Sequence, residues 1–162
     1  MRARRIVFLD FDGVISSDRY LHRKEEGDGY LDPTRLVRLC RIIDVTGAEI
    51  VLSTSWRNHW NVDPALCDDD WRRLFAEDVA AYELPIVDRT PEIRAWDRAV
   101  EVRAWLEAHA DEVLSYVILD DQGFHGWSEM SDRFVKTAGH RGGITEDEVD
   151  RAIELLMTPL PE

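Results

Sequence analysis

Short apolar runs that alternate with helical patterns are the feature that most constrains how this chain can fold. Residues 6–9, 50–52 and 116–119 are continuously apolar, as strands buried on both faces of a parallel sheet are. A helical pattern lies between the first two runs, beginning at Asp32-Pro33 as cap and first turn and ending before Gly47. This alternation predicts an α/β fold with a mostly parallel central sheet.

The same patterns predict the remaining elements. Residues 13–31 are polar and contain glycine, which predicts a flap loop or hairpin beside the first strand. Residues 56–96 are the hardest part to assign. The further predicted elements are a helix around 69–81, a short strand near Ile86 and Val87, a helix through Ala99, Val102, Trp105 and Leu106, a strand at 134–137, and a final helix opened by a capping box of Thr145 and Glu148.

Size and charge limit the possible functions. The 162 residues favour one domain over 1–162, and the net charge of -13 argues against stable binding of long nucleic acid. A small phosphorylated substrate remains compatible, because a bound divalent cation can reverse the local field. The two cysteines, Cys40 and Cys67, have no metal-like spacing, and no apolar run approaches the roughly 20 residues that span a bilayer. We therefore expect a cytoplasmic protein without a membrane partner.

Polar side chains follow each of the three apolar runs at the point where the run ends. These residues are Asp10 and Asp12, then Ser53 and Thr54, then Asp120 and Asp121. Because ligands of open parallel sheets bind beyond the carboxyl ends of the strands, we expect all three groups to line one pocket. Four carboxylates there would repel one another, and a hard cation would relieve the repulsion. Ligands that are all oxygen favour Mg²⁺ over zinc.

These segments resemble the haloacid dehalogenase-like (HAD) superfamily of phosphohydrolases. The resemblance rests on an Asp-x-Asp-Gly run at 8–14, an apolar run that ends in Ser53, and an apolar run that ends in Asp120-Asp121. With the helices between them, these segments cover roughly residues 5–157. The resemblance implies a Rossmann-like three-layer α/β/α sandwich and an Mg²⁺-dependent phosphatase that acts through an aspartyl-phosphate.

The resemblance also implies a role for each matched residue. Asp10 would attack phosphorus, and Asp12 would protonate the leaving oxygen and then activate water. Ser53 would bind a phosphoryl oxygen, with Thr54 as the alternative ligand. Backbone amides near Phe11, Asp12 and Thr54 would assist. The magnesium ligands would be Asp10, the carbonyl of Asp12, Asp120, and Asp121 either directly or through water.

One residue departs from the superfamily pattern. The superfamily usually supplies a lysine before the last catalytic strand, but this chain has no lysine between Lys24 and Lys136. Arg98, at the start of the helix that leads to the last catalytic strand, is the first candidate to replace it, and Arg103 is the second. Arginine keeps the charge but is bulkier and forms a fork of donors, so the two residues are not equivalent.

The spacing of the motifs bears on the substrate. About 40 residues separate Asp12 from Ser53, and a similar number separate Ser53 from Arg98, which leaves no room for a large cap domain. The sub-pattern at 52–57, with Arg89-Thr90-Pro91 after it, resembles small HAD domains of bacteria, phages and RNA-repair proteins. Capless members tend to admit bulky substrates, so the expected partner is a phosphorylated small molecule, a nucleotide or an oligonucleotide end.

Two further groups of residues are candidates for substrate contact. Arg19, His22, Arg23 and Lys24 form a basic cluster in the segment 13–31, either as a solvated hairpin or as a flap over an anionic substrate. Trp56, Arg57 and Trp60 could stack on a base, with core packing as the alternative for the aromatic rings.

Four functions compete at this stage. Phosphomonoester hydrolysis leads, and nucleic-acid end healing is a second enzymatic hypothesis. A catalytically weak phosphate-binding module is a third, given the missing lysine. A signalling receiver domain is disfavoured, because there the acidic pair comes first and the phosphorylated aspartate sits mid-chain.

Overall fold

A five-stranded, all-parallel sheet forms the centre of the protein. In the computed structural model, residues 3–25, 28–58, 63–67, 69–93, 97–123, 125–139 and 142–161 are described. The strands are β1 (Arg4–Leu9), β2 (Glu49–Leu52), β3 (Ile86–Arg89), β4 (Val113–Asp120) and β5 (Phe134–Lys136). Their order in the sheet is β3-β2-β1-β4-β5, so β1 is central and β3 is an edge strand.

Helices connect the strands. They are α1 (Asp18–Leu21), α2 (Pro33–Thr46), α3 (Asp70–Ala81), α4 (Arg98–Ala108) and α5 (Glu146–Met157), with 3₁₀ segments at Pro64–Leu66, Ala110–Glu112 and His125–Arg133. Each α-helix from α2 to α5 begins at a polar residue in extended conformation, and three of these caps accept a backbone N–H of the first turn. At the other end of α2, Gly47 is left-handed (φ 65°), which terminates the helix.

The alternation of side chains along each strand divides the core into two halves. Val7 and Leu9 of β1 face one core, which also contains apolar residues of α2, α3 and α5. Ile6 and Phe8 face the other, which contains Ala99, Val102 and Trp105 of α4. The result is a three-layer α/β/α sandwich with a parallel sheet, as predicted, and the described residues form no large cap domain.

The predicted elements agree with the structure. The helix expected around 69–81 is α3, the strand near Ile86 and Val87 is β3, and the strand at 134–137 is β5. Both hydrogen bonds of the Thr145–Glu148 capping box are present. The described part of segment 13–31 is a loop with one short helix, α1, and not a hairpin.

Two further observations concern the cysteines and the length of the helices. Cys40 and Cys67 are free thiols. Across the described ranges, every helix is too short or too polar to cross a bilayer.

Candidate active site

Asp10, Ser53 and Asp120 lie at the strand ends where the strand order reverses. β2 lies on one side of β1 and β4 on the other, and this switch point is where open α/β sheets form a crevice at the carboxyl ends of their strands. The ladder extends one residue beyond the strands, because Asp10 N donates to Leu119 O at 3.0 Å and Ser53 N donates to Leu9 O at 2.9 Å. The backbone therefore holds the Asp10 and Ser53 segments side by side.

Three carboxylates meet at this crevice. Asp10, Asp120 and Asp121 each offer an oxygen, and these atoms lie within 4.8 Å of one another. Asp10 and Asp120 are each only 1% exposed. Residues 110 positions apart thus form one acidic cluster, which holds three of the four carboxylates expected there and lacks the Asp12 side chain.

One guanidinium group faces this cluster. Arg98 Nη1 lies 2.6 Å from Asp10 Oδ2 and 2.8 Å from Asp120 Oδ2. Arg98 is the first residue of α4, and the Asp97 side chain caps that helix by accepting from Ala99 N. Arg103 instead pairs with Glu129 at the surface and is 40% exposed. Of the two arginines, the structure places Arg98 at the position where a cation for Asp10 was expected.

Burial and electrostatic repulsion raise the pKa of Asp10 and of Asp120. Burial raises the pKa of Asp10 to about 7, and the charge of Asp120 adds to the rise, while Arg98 and a hydrogen bond from Thr54 oppose it. Burial also raises the pKa of Asp120, again against the charge of Arg98. Burial lowers the pKa of Arg98, but the two carboxylates more than offset this, so its pKa is raised overall. A bound cation would favour the ionised forms of Asp10 and Asp120.

Ser53 and Thr54 have different surroundings. Ser53 is 2% exposed, and its Oγ has no hydrogen-bond partner among the described residues. The Thr54 hydroxyl, by contrast, accepts from Trp56 N at 3.3 Å and contributes a hydrogen bond to Asp10. A buried hydroxyl without a partner is costly unless a ligand supplies one, so Ser53 is the better candidate for binding an anion at this site.

The turn after β1 brings Gly13 against the acidic cluster. Gly13 has φ 77°, and a side-chain carbon at this position would overlap the Asp121 carboxylate. The turn is held from two sides: Gly13 N donates to Ser16 O at 2.8 Å, and the Thr137 hydroxyl donates to Gly13 O at 2.7 Å. Glycine is therefore required here by both conformation and space.

Asp12 has a partner that the motif does not reveal. Trp56 Nε1 donates to Asp12 Oδ2 at 2.8 Å. The Asp12 side chain is not part of the three-carboxylate cluster, which is compatible with the expected role of its carbonyl as the metal ligand. The sequence signals this contact only by placing a tryptophan three residues after Ser53. The roles expected for that tryptophan were stacking on a base or packing in the core.

The other predicted substrate-binding residues occupy less direct positions. The Phe11 ring is buried against Phe75, so its backbone amide is what it can offer a substrate. Arg57 is buried, and its Nη1 contacts Glu101 Oε2 at 2.8 Å and Thr90 Oγ1 at 3.0 Å. These contacts anchor the loop after β3 and indicate a structural role for Arg57. No feature of the sequence indicated this role. Substrate contact by Arg57 stays a prediction.

Arg57 also lines the wall of a cleft of about 420 Å³ that runs between β3 and α4. None of the clustered carboxylates lines it.

The basic residues Arg19, His22 and Arg23 are exposed and Lys24 is half-buried, in and just after α1. Trp60, the third predicted stacking candidate, lies outside the described residues.

The comparison with known families agrees with this geometry. Residues 6–149 match a family model described as the HAD domain in Swiss Army Knife RNA repair proteins. No curated protein matches the chain significantly. The match begins within β1, includes β2 to β5 completely and ends within α5.

Proposed function

The chain belongs to the HAD family found in Swiss Army Knife RNA repair proteins, and from this premise we propose that it is an Mg²⁺-dependent phosphomonoester hydrolase. The observation that carries the proposal is the cluster of buried Asp10 and Asp120 with half-buried Asp121, in which Arg98 Nη1 lies within 2.8 Å of the first two. Perturbed carboxyls with a specific charge partner in a crevice are typical of functional sites.

In the proposed first step, Asp10 is the nucleophile. One of its oxygens forms a bond to phosphorus while the bond from phosphorus to the ester oxygen breaks, and Asp12 gives its proton to the departing oxygen. In the second step Asp12 takes a proton from a water molecule, whose oxygen attacks phosphorus and releases Asp10 and inorganic phosphate. Arg98 stabilises the negative charge that Asp10 and the phosphoryl group share.

The phosphoryl group needs donors as well as charge. Ser53 Oγ is buried and has no partner among the described residues, so it can donate to a phosphoryl oxygen without breaking an existing bond. The backbone amides near Phe11, Asp12 and Thr54 are the further proposed donors.

The donor set fits magnesium. Asp10, Asp120, Asp121 and the carbonyl of Asp12 offer only oxygen ligands, which are the ligands that Mg²⁺ prefers. These residues would hold the ion. When bound, the metal would offset negative charge on the phosphoryl group and align it with Asp10.

A magnesium-dependent assay with 4-nitrophenyl phosphate tests the proposal. Because Asp10 forms the covalent intermediate, Asp10→Asn should lose at least about 10³-fold in kcat, and Asp12→Asn should lose about 10²-fold or more. Asp44→Asn, the same change at an exposed position of α2, is the matched control and should retain activity. Equal and metal-independent activity in all four proteins would refute the proposal. Phosphate binding without turnover would instead support the binding-module hypothesis.

A second candidate function is healing of nucleic-acid ends. The family description names RNA repair proteins, and the domain has no large cap over the site. Exposed Arg19 and Arg23, in and just after α1, offer local positive charge in an acidic chain. A substrate panel separates the candidates: it compares nucleotides and sugar phosphates with 3′- and 5′-phosphorylated oligonucleotides. Turnover of small phosphates alone would exclude end healing.

A further inference from the structure

A single indole hydrogen bond fixes one oxygen of the proposed acid–base residue. Trp56 Nε1 donates to Asp12 Oδ2 at 2.8 Å. We infer that Trp56 is a positioning residue for Asp12, which holds Oδ2 and leaves Oδ1 to exchange the proton. This inference rests on the proposed function, since it needs Asp12 to act as acid and base.

The indole is itself held in place from several directions. The centroid of its ring system lies 4.7 Å from that of Tyr30, 4.8 Å from Trp71 and 5.2 Å from Phe75. Its backbone N–H is also bound, to Thr54 Oγ1. Tyr30 precedes α2, whereas Trp71 and Phe75 belong to α3. Two segments distant in sequence thus restrain the ring that restrains Asp12.

The chemistry of indole suits this role. Its N–H is only a donor and does not exchange a proton with a carboxyl group, so Trp56 cannot replace Asp12 as acid or base. Oδ2 can accept from the indole whether Oδ1 is protonated or not, so the hydrogen bond persists through both steps. Restricting the rotation of a catalytic carboxyl keeps its reactive oxygen in line with the leaving group.

The leaving-group dependence of the rate tests the inference. Trp56→Phe keeps an aromatic ring in the cluster and removes the N–H. Its kcat/KM should fall by roughly 10-fold or more for phenyl phosphate, whose leaving oxygen needs a proton, and by less than about 3-fold for 2,4-dinitrophenyl phosphate, which does not. Asp12→Asn should give the same pattern with a larger loss, and adding Trp56→Phe to Asp12→Asn should cause little further loss.

Two further variants separate positioning from packing. Trp71→Phe keeps an aromatic ring against Trp56 and leaves the indole N–H of Trp56 in place, so it should affect both substrates equally. Trp56→His keeps a ring N–H donor, and it should restore part of the rate with phenyl phosphate. It is also the second variant should Trp56→Phe not fold, as judged by circular dichroism.

Distinct results count against the inference and against the proposed function. Equal losses with both substrates for Trp56→Phe, or a selective loss with phenyl phosphate that Trp56→His does not reduce, would overturn the positioning role while Asp10-dependent hydrolysis by the wild type still supported the function. An absence of Asp10-dependent hydrolysis in the wild type would overturn both.

Discussion

At the scale of single residues, the position of Arg98 between two carboxylates is not visible in the Asp-x-Asp-Gly motif. Its Nη1 lies between Asp10 and Asp120, 2.6 and 2.8 Å from their Oδ2 atoms. The two carboxylates are buried and offer oxygens within 4.8 Å of each other, so each would be hard to ionise without a cation. A lysine could supply one charge, but an arginine supplies charge together with a planar group whose position the start of α4 determines.

We predict that Arg98→Ala lowers kcat/KM by about 10²–10³-fold, because the nucleophile and the phosphoryl group lose their shared counter-charge. Arg98→Lys should retain more activity than Arg98→Ala, since the charge is kept. The measurement is steady-state hydrolysis of an aryl phosphate. Arg103→Ala, which breaks only a surface pair with Glu129, is the control and should stay within about 2-fold. A loss at Arg103 that matched the loss at Arg98 would contradict the assignment.

At the scale of elements, the turn after β1 positions both aspartates of the Asp-x-Asp-Gly run at the carboxyl end of the sheet. Asp10 continues the ladder towards β4, and the chain then reverses through Gly13 at φ 77°. Thr137, which follows β5, donates to the Gly13 carbonyl and so ties the far edge of the sheet to this turn. The geometry of the site therefore depends on the packing of β1, β4 and β5 together.

The turn gives a sharp test. Gly13→Ala should destabilise the protein by at least about 1–2 kcal/mol, because alanine is strained at positive φ and its side chain displaces Asp121. Urea denaturation measures the free energy of unfolding, and a thermal shift with added Mg²⁺ should be smaller than in the wild type. Gly123→Ala, where an added carbon meets nothing within 4 Å, is the control and should change neither. Wild-type stability of Gly13→Ala would show that the turn is not constrained as described.

At the scale of the whole molecule, the buried acids link stability to pH. The pKa of Asp10 is about 7 in the folded protein, raised mainly by burial, whereas an unfolded aspartate titrates near 3.9. Between these values the folded state binds more protons than the unfolded state. Stability therefore falls as pH rises through this range, and a metal ion bound to the ionised form should reverse the loss.

The prediction is a falling melting temperature between pH 5 and pH 8 in EDTA, steeper in the wild type than in Asp10→Asn, where the titrating group is gone. Added Mg²⁺ should raise the wild-type melting temperature more at pH 8 than at pH 5, because protons compete with the metal for the carboxylates. Asp44→Asn should follow the wild type. Identical pH slopes for the wild type and Asp10→Asn would contradict the coupling.

Local signals predicted most of the secondary structure and the meeting of Asp10 with Asp120 and Asp121. Asp32, Gly47 and Thr145 marked helix ends because capping depends on neighbouring residues alone. The strand ends predicted the acidic cluster because parallel strands share one edge. The contact of Arg57 could not be predicted from the sequence. Its guanidinium binds Glu101, which is 44 residues away, and the position of Arg57 close to Ser53 in the sequence gives no sign of this pair.

The sequence by itself determined the layered α/β architecture and the identity of the carboxylates, since apolar runs and the residues that end them are local patterns. Only the tertiary structure placed Arg98 beside Asp10 and Arg103 at the surface, separated the surroundings of Ser53 from those of Thr54, and paired Trp56 with Asp12. Each of these depends on which distant segments pack together, and the direction of a side chain in a packed core is a property of its neighbours in space.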